Sequence, residues 1–143
     1  MPEKETIERA RKDKREGKAP STQAGEFVRE EIEHVREGKH GARSTKQAIA
    51  IGLSKARRAG VDLPPPEGSE ETREQAKRDL KKGGSAKKPS SKRSRATRKA
   101  LKREPRKAAS KTALSRQARA AAHKRTKAER SASAKKAART RKK

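Results

Sequence analysis

Ten of the thirteen Leu, Ile, Val and Phe residues in this 143-residue chain lie before Pro64; only Leu80, Leu101 and Leu114 follow it. Thirteen in 143 is far below the ~20 % that separates globular chains from disordered ones when net charge is large, and here the formal charge is +26. One large core is therefore excluded, because too little apolar surface opposes the entropy of ordering the backbone. What core there is must gather before Pro64. Cysteine is absent, which excludes a disulfide scaffold and a Cys-based zinc site. No run approaches the ~18 apolar residues of a membrane span. The start, Met1-Pro2-Glu3-Lys4-Glu5, is charged and no apolar stretch follows it, so a cytoplasmic protein is expected.

The charge divides in the opposite sense. Residues 1–75 hold 16 basic and 15 acidic residues, a net +1. Residues 76–143 hold 28 basic residues and three acidic ones, Asp79, Glu104 and Glu129, a net +25. Asymmetry of this kind marks an interaction tail beside a separate module.

Residues 1–63 read as a small helical module of about three short helices. No segment shows the period-2 pattern of a strand. The first helix is expected from Glu3 to Glu16, acidic early and basic late, with Gly17 as its stop. The second is expected to be capped by Ser21 or Thr22 and to run to Glu37, with Gly38 after it. Ala24, Phe27, Val28, Ile32 and Val35 form its apolar stripe, into which Glu31 projects. The third begins at the capping box Ser44-Thr45-Lys46-Gln47 and ends near Gly60, a left-handed C′ residue with Val61 returning towards Ala56. Arg15-Glu16-Gly17-Lys18 before Ser21-Thr22-Gln23-Ala24 is echoed by Arg36-Glu37-Gly38-Lys39 before Ser44-Thr45-Lys46-Gln47-Ala48. Reused cap chemistry accounts for that echo. The expected core is Phe27, Val28, Ile32, Val35, Ile49, Ile51, Leu53, Val61 and Leu63. So few side chains make a marginal unit, which a homodimer or a protein partner would complete.

The stretch from Gly38 to Gly60 has the core Ser44-x-x-Gln47-Ala48-Ile49-Ala50-Ile51-x-Leu53-Ser54-x-Ala56. It resembles an uncharacterised family of short basic bacterial, phage and plasmid proteins labelled as DNA-binding or plasmid-stabilisation proteins. The likeness extends more loosely over residues 1–66 and implies no catalytic residues. The C-terminal half resembles, in composition, the Lys/Ala/Ser-rich tails of linker-histone-like bacterial proteins.

Pro64-Pro65-Pro66 opens a Pro-rich linker over 64–69. Residues 70–82 suit a polar helix or solvated spacer, with Glu74 and Arg78 at i, i+4 and Gly83-Gly84 at its end. Residues 83–143 read as a largely disordered basic tail. From 85 onward, 51 of 59 residues are Lys, Arg, Ala, Ser or Thr, which cannot build a core. Helix formation on a polyanion is expected for about Thr112 to Arg130.

The tail cations are the expected nucleic-acid contacts. They are Lys87, Lys88, Lys92, Arg93, Arg95, Arg98, Lys99, Lys102, Arg103, Arg106 and Lys107, followed by Lys111, Arg116, Arg119, Lys124, Arg125, Lys127, Arg130, Lys135, Lys136, Arg139, Arg141, Lys142 and Lys143. Duplex DNA carries one charge per ~1.7 Å, so the 28 cations after residue 75 match about 48 Å of duplex. Fully extended at ~3.3 Å per residue, the tail would reach about 220 Å. Such contacts give affinity with little sequence information. Lys46, Lys55, Arg57 and Arg58 on the third helix are the candidates for base readout. The missing stacking aromatics make duplex DNA a better fit than single-stranded RNA.

Catalytic, cofactor and metal sites are not expected. His34, His40 and His123 are the only histidines, and Glu37, three residues after His34, reads as half of a solvated pair. Gly38-Lys39-His40-Gly41 lacks the glycine spacing and Lys-Ser/Thr pair of a phosphate-binding loop. The resulting expectation is a nucleoid-associated, histone-like DNA accessory protein with no small-molecule substrate. Two alternatives stand beside it: a protein-docking adaptor that the tail localises to nucleic acid, and an rRNA-associated protein.

Overall fold

Gly17, Gly38 and Gly60 each adopt positive φ, at 71°, 78° and 93°, and they punctuate the first 60 residues as their sequence contexts predict. The computed structural model describes residues 2–83, 88 and 90–142. The described residues form seven α-helices and one 3₁₀ turn, with no strand among them. Helix α1 spans Lys4–Arg15, α2 Pro20–Arg36, α3 Thr45–Arg58 and α4 Glu70–Lys82. Helix α5 spans Ser91–Lys102, a 3₁₀ turn follows at Lys107–Ala109, α6 spans Lys111–His123 and α7 Lys127–Arg141. The chain divides into two compact units, Met1–Ser110 and Lys111–Lys143.

In the first unit the start of α2 differs from expectation. Pro20 takes the first helical position after Ala19, so Ser21 and Thr22 lie inside the first turn. Proline fits there because its missing N–H has no partner to lose. At α3 the cap forms: Ser44 Oγ accepts from the Gln47 amide at 3.1 Å, and Gln47 Oε1 accepts from the Arg43 amide at 2.7 Å. The Schellman ending forms too, with the Val61 amide donating to the Ala56 carbonyl at 3.0 Å.

The core is smaller in side-chain volume than expected. Ala10, Ala24, Phe27, Ile32, Val35, Val61 and Leu63 are buried, but α3 buries Ala48, Gly52 and Ala56 while Ile49, Ile51 and Leu53 stay half-buried. Backbone proximity explains the swap. A Cβ on Gly52 would lie 2.7 Å from the Val28 Cα, so α2 and α3 meet through small residues at i, i+4 and i+8. Val28 is half-buried for the same reason.

The first unit also reaches well past the Pro-rich segment. Helix α4 packs on α3 with Ala76 and Asp79 buried, and Arg58 Nε donates to Asp79 Oδ1 at 3.0 Å. It is thus a packed element and not a solvated spacer. Residues 101–109 form a strap over the α2–α3 loop. The Gly41 amide donates to the Leu101 carbonyl at 2.8 Å and the Ala42 amide to that of Pro105 at 3.0 Å. Thr45 Oγ1 and Arg36 Nε donate to the carbonyls of Ala108 and Ala109, at 2.7 and 2.9 Å. Ala108 and Ala109 are buried.

These elements correct the expected disordered basic tail. The stretch from Ser91 to Arg141 is helical in all but its short connections. The apolar deficit forbids a core, but a helix satisfies its backbone internally and needs no core to do so. Ala, Lys and Arg all rank high in helix propensity. In the second unit, α6 and α7 contain no buried residue. Helix α7 is started by a full capping box between Thr126 and Glu129. The helix expected over Thr112 to Arg130 is therefore two helices, Lys111–His123 and the start of Lys127–Arg141. The chain's reach shrinks accordingly, from ~3.3 Å per extended residue to ~1.5 Å per helical one. Among the described residues, no helix is long and apolar enough to cross a membrane.

Candidate functional site

Two arrangements of charged side chains stand out, one exposed and one buried. The exposed one is the basic surface. Lys88 and every other Lys and Arg named above between residues 92 and 142 are exposed; Lys87 and Lys143 lie outside the described residues. Helix α5 orders its cations best. At 100° per residue, five of the six α5 cations, Lys92, Arg95, Arg98, Lys99 and Lys102, fall with the C-cap Arg103 within about 140° of arc, while Arg93 lies on the other side with Ala96, Thr97, Ala100 and Leu101. Helix α7 instead spreads Lys127, Arg130, Lys135, Lys136 and Arg139 around its whole circumference. Glu129, the one acidic residue of α7, is spent on the cap. Hydrogen bonds from the Thr126 amide and hydroxyl hold its carboxyl below the usual carboxylate range. A few tail cations also have local duties. Arg106 Nη1 lies 3.5 Å from the Arg36 carbonyl, and Arg125 donates to the Glu129 carbonyl at 3.2 Å and to Ser133 Oγ.

The four candidate readout residues of α3 do not form an exposed face. Only Lys46 is solvent-directed without a role in the fold. Lys55 pairs with the buried carboxylate of Glu31. Arg57 is buried, 5 % exposed, and donates to the carbonyls of Leu63 and Pro64 at 3.5 and 3.0 Å. Burial pushes its pKa down. Arg58 is held by Asp79, as described. Sequence spacing identified these as cations near a helix end, but not the carbonyls and carboxylates that α2, α4 and residues 63–64 bring to them.

The buried arrangement centres on Glu31, the residue that interrupts the apolar stripe of α2. It is 0 % exposed. His40 Nε2 lies 3.2 Å from Glu31 Oε2, His34 Nδ1 lies 3.7 Å from Glu31 Oε1, and Lys55 Nζ also meets Oε1. His34 Nε2 donates to Glu3 Oε1 at 3.1 Å and lies 3.8 Å from buried Glu30 Oε1. The Glu3 amide at the N-terminus of α1 donates to both Glu30 oxygens at 3.3 Å. The His34 hydrogen bond, then Lys39, holds the Glu3 carboxyl below the usual range. Glu37, the expected partner of His34, pairs instead with Lys39 at 3.1 Å. The readable signal for this cluster was Glu31 itself, a carboxylate on an apolar stripe three residues before a histidine.

Comparison with known proteins speaks only to the N-terminal part. Residues 3–67 match the model of a family of unknown function (DUF6496). No curated protein and no solved structure matches the chain. The matched region covers α1 to α3 and their loops, including every residue of the Glu31 cluster, and stops before α4.

Proposed function

We propose that the protein binds nucleic acid, duplex DNA in preference to RNA, through phosphate contacts made by cations displayed on α5, α6 and α7. The observation that carries the reading is the exposure of these cations, with five of the six on α5 sharing one face. Helical display suits phosphate binding better than a loose chain would, because backbone entropy is spent before the ligand arrives. The binding is sequence-tolerant, since phosphate contacts fix register without reading bases. Of the α3 cations, Lys46 joins the surface unpaired among the described residues, and exposed Arg58 is held by Asp79. A nucleoid or histone-like DNA accessory role follows from binding of this kind, with the unit 1–110 anchoring α5 through the strap.

A gel-shift titration of the full chain across salt tests the reading. With ~8 phosphates engaged, log K falls against log salt with slope about −7. Binding that is undiminished at high salt, or absent at low salt, overturns it. Competition between duplex DNA and structured RNA assigns the polyanion.

A further inference from the structure

We propose that Glu31, His34 and His40 form a binding site for a divalent transition cation of the zinc class. The argument begins with where the ring protons sit. His40 Nδ1 faces the Gly41 carbonyl at 2.8 Å, and a carbonyl can only accept, so Nδ1 carries the proton. His34 Nε2 faces Glu3 Oε1 at 3.1 Å, and an ionised carboxylate likewise only accepts. In the neutral rings this leaves His40 Nε2 and His34 Nδ1 with lone pairs. Both point at Glu31, at 3.2 Å from Oε2 and 3.7 Å from Oε1. Two nitrogen lone pairs thus converge on one buried carboxylate. Lys55 balances that carboxylate from the Oε1 side and leaves the two lone pairs facing it without a cation between them.

A metal ion fits the space. Zinc with bonds of ~2.0–2.2 Å in tetrahedral geometry places its ligand atoms about 3.3–3.5 Å apart. The His40–Glu31 edge is already of that length, and one ligand atom from each of the three residues lies within 4.8 Å of the others. His34 must swing inward to complete the set, since 4.8 Å is wider than a tetrahedral edge.

The surroundings match what metal-bound histidines use. The second nitrogen of each ring donates to an acceptor, a backbone carbonyl for His40 and the Glu3 carboxylate for His34, which fixes both tautomers. Lys55 occupies Glu31 Oε1 and leaves Oε2 as the monodentate ligand atom. Charge points the same way: among the described residues, the lysines and arginines facing Glu3, Glu30 and Glu31 are Lys55 and Lys39, and Lys39 is shared with Glu37. The His34 and His40 side chains are 14 % and 12 % exposed, enough for entry and for a water at the fourth position.

Calorimetric titration of the chelator-treated full chain with zinc chloride, without nucleic acid, tests the site. One equivalent is expected, with affinity weakened about 100-fold in His40→Gln and about 10-fold in Glu3→Gln, which loses only the orienting carboxylate. His123→Gln leaves the affinity unchanged. Histidine ring NMR on the unaltered chain guards against variants that fail to fold. Zinc must shift His34 and His40 and leave His123. Absence of binding, affinity unchanged in His34→Gln/His40→Gln, or His34 and His40 resonances that hold both ring protons through neutral pH and ignore zinc would overturn the proposal.

Discussion

Helices α3 and α5 both end in a run of Lys and Arg, yet their cations meet opposite fates. Those of α3 are committed inside the fold, to Glu31, to Asp79 and to the carbonyls of Leu63 and Pro64. Those of α5 face solvent, all but Arg93 on one side of the helix. Propensity does not separate the two helices; their neighbours do. Helix α3 is flanked by α2 and α4, which carry most of the chain's buried carboxylates, whereas the two acidic residues nearest α5 in sequence are Asp79 and Glu104. A cation count therefore locates a binding surface only after the internal carboxylates and carbonyls have taken their share.

The difference can be broken from either side. The largest expected effect is on α5: replacing Lys92, Arg95 and Lys99 with Gln removes up to three phosphate contacts, so the salt slope becomes shallower by about 3. Melting temperature stays where it was, because none of the three supports the fold. A parallel drop in stability would show that these cations are structural after all. Next, Gly41→Val should detach the strap, since a Cβ there would lie 1.8 Å from the Glu104 carbonyl oxygen. The cost is about 3 kcal/mol, the upper end of overpacking. Hydrogen exchange at the Ala42 amide, which donates to Pro105, reads the detachment directly.

On α3 the effects fall on stability. Lys55→Met leaves Glu31 buried without its lysine, at a cost of about 3 kcal/mol in chemical denaturation. DNA affinity should change by less than for any single α5 substitution. Ser44→Ala removes the α3 cap and costs about 1 kcal/mol by the same measurement.

Apart from the start of α2, the helix boundaries before Pro64 were legible because they rest on local chemistry: three glycines at positive φ, the Ser44 cap and the Val61 return. The membership of the core was less so. Hydrophobicity pointed to Ile49 and Ile51, while the close approach at Gly52 turns Ala48 and Ala56 inward, and that approach depends on α2. The order of the C-terminal half was misread for a different reason. Lack of apolar residues excludes a core but not helices, and Thr126-x-x-Glu129 is a readable helix start while Ala supplies 15 of the last 59 residues. The strap could not be seen at all, since it is built from backbone carbonyls of residues 101–109 that carry no sequence signature. Of the buried cluster, only Glu31 announced itself; Glu3 and His40 come from other segments of the chain.

The smallest expected effect sits on α7, where solvent screens most of the electrostatics. The folded-state pKa of Glu129 lies below its ordinary value of 4.5, through the hydrogen bonds to Thr126. A depressed carboxyl stabilises the folded form above that ordinary value, and the contribution is lost as pH falls through the folded pKa. Helical circular dichroism should therefore decline slightly from about pH 4.5 downward, and the decline should shrink in Glu129→Gln. Gln can still accept from the Thr126 amide but does not titrate, so it keeps the cap and removes the pH dependence. An unchanged acid decline in that variant would move its origin to Glu3 or Glu16, whose carboxyls are also held low, by His34 and by Lys18. Both lie in the unit 1–110, so the outcome assigns the acid sensitivity to one unit or the other.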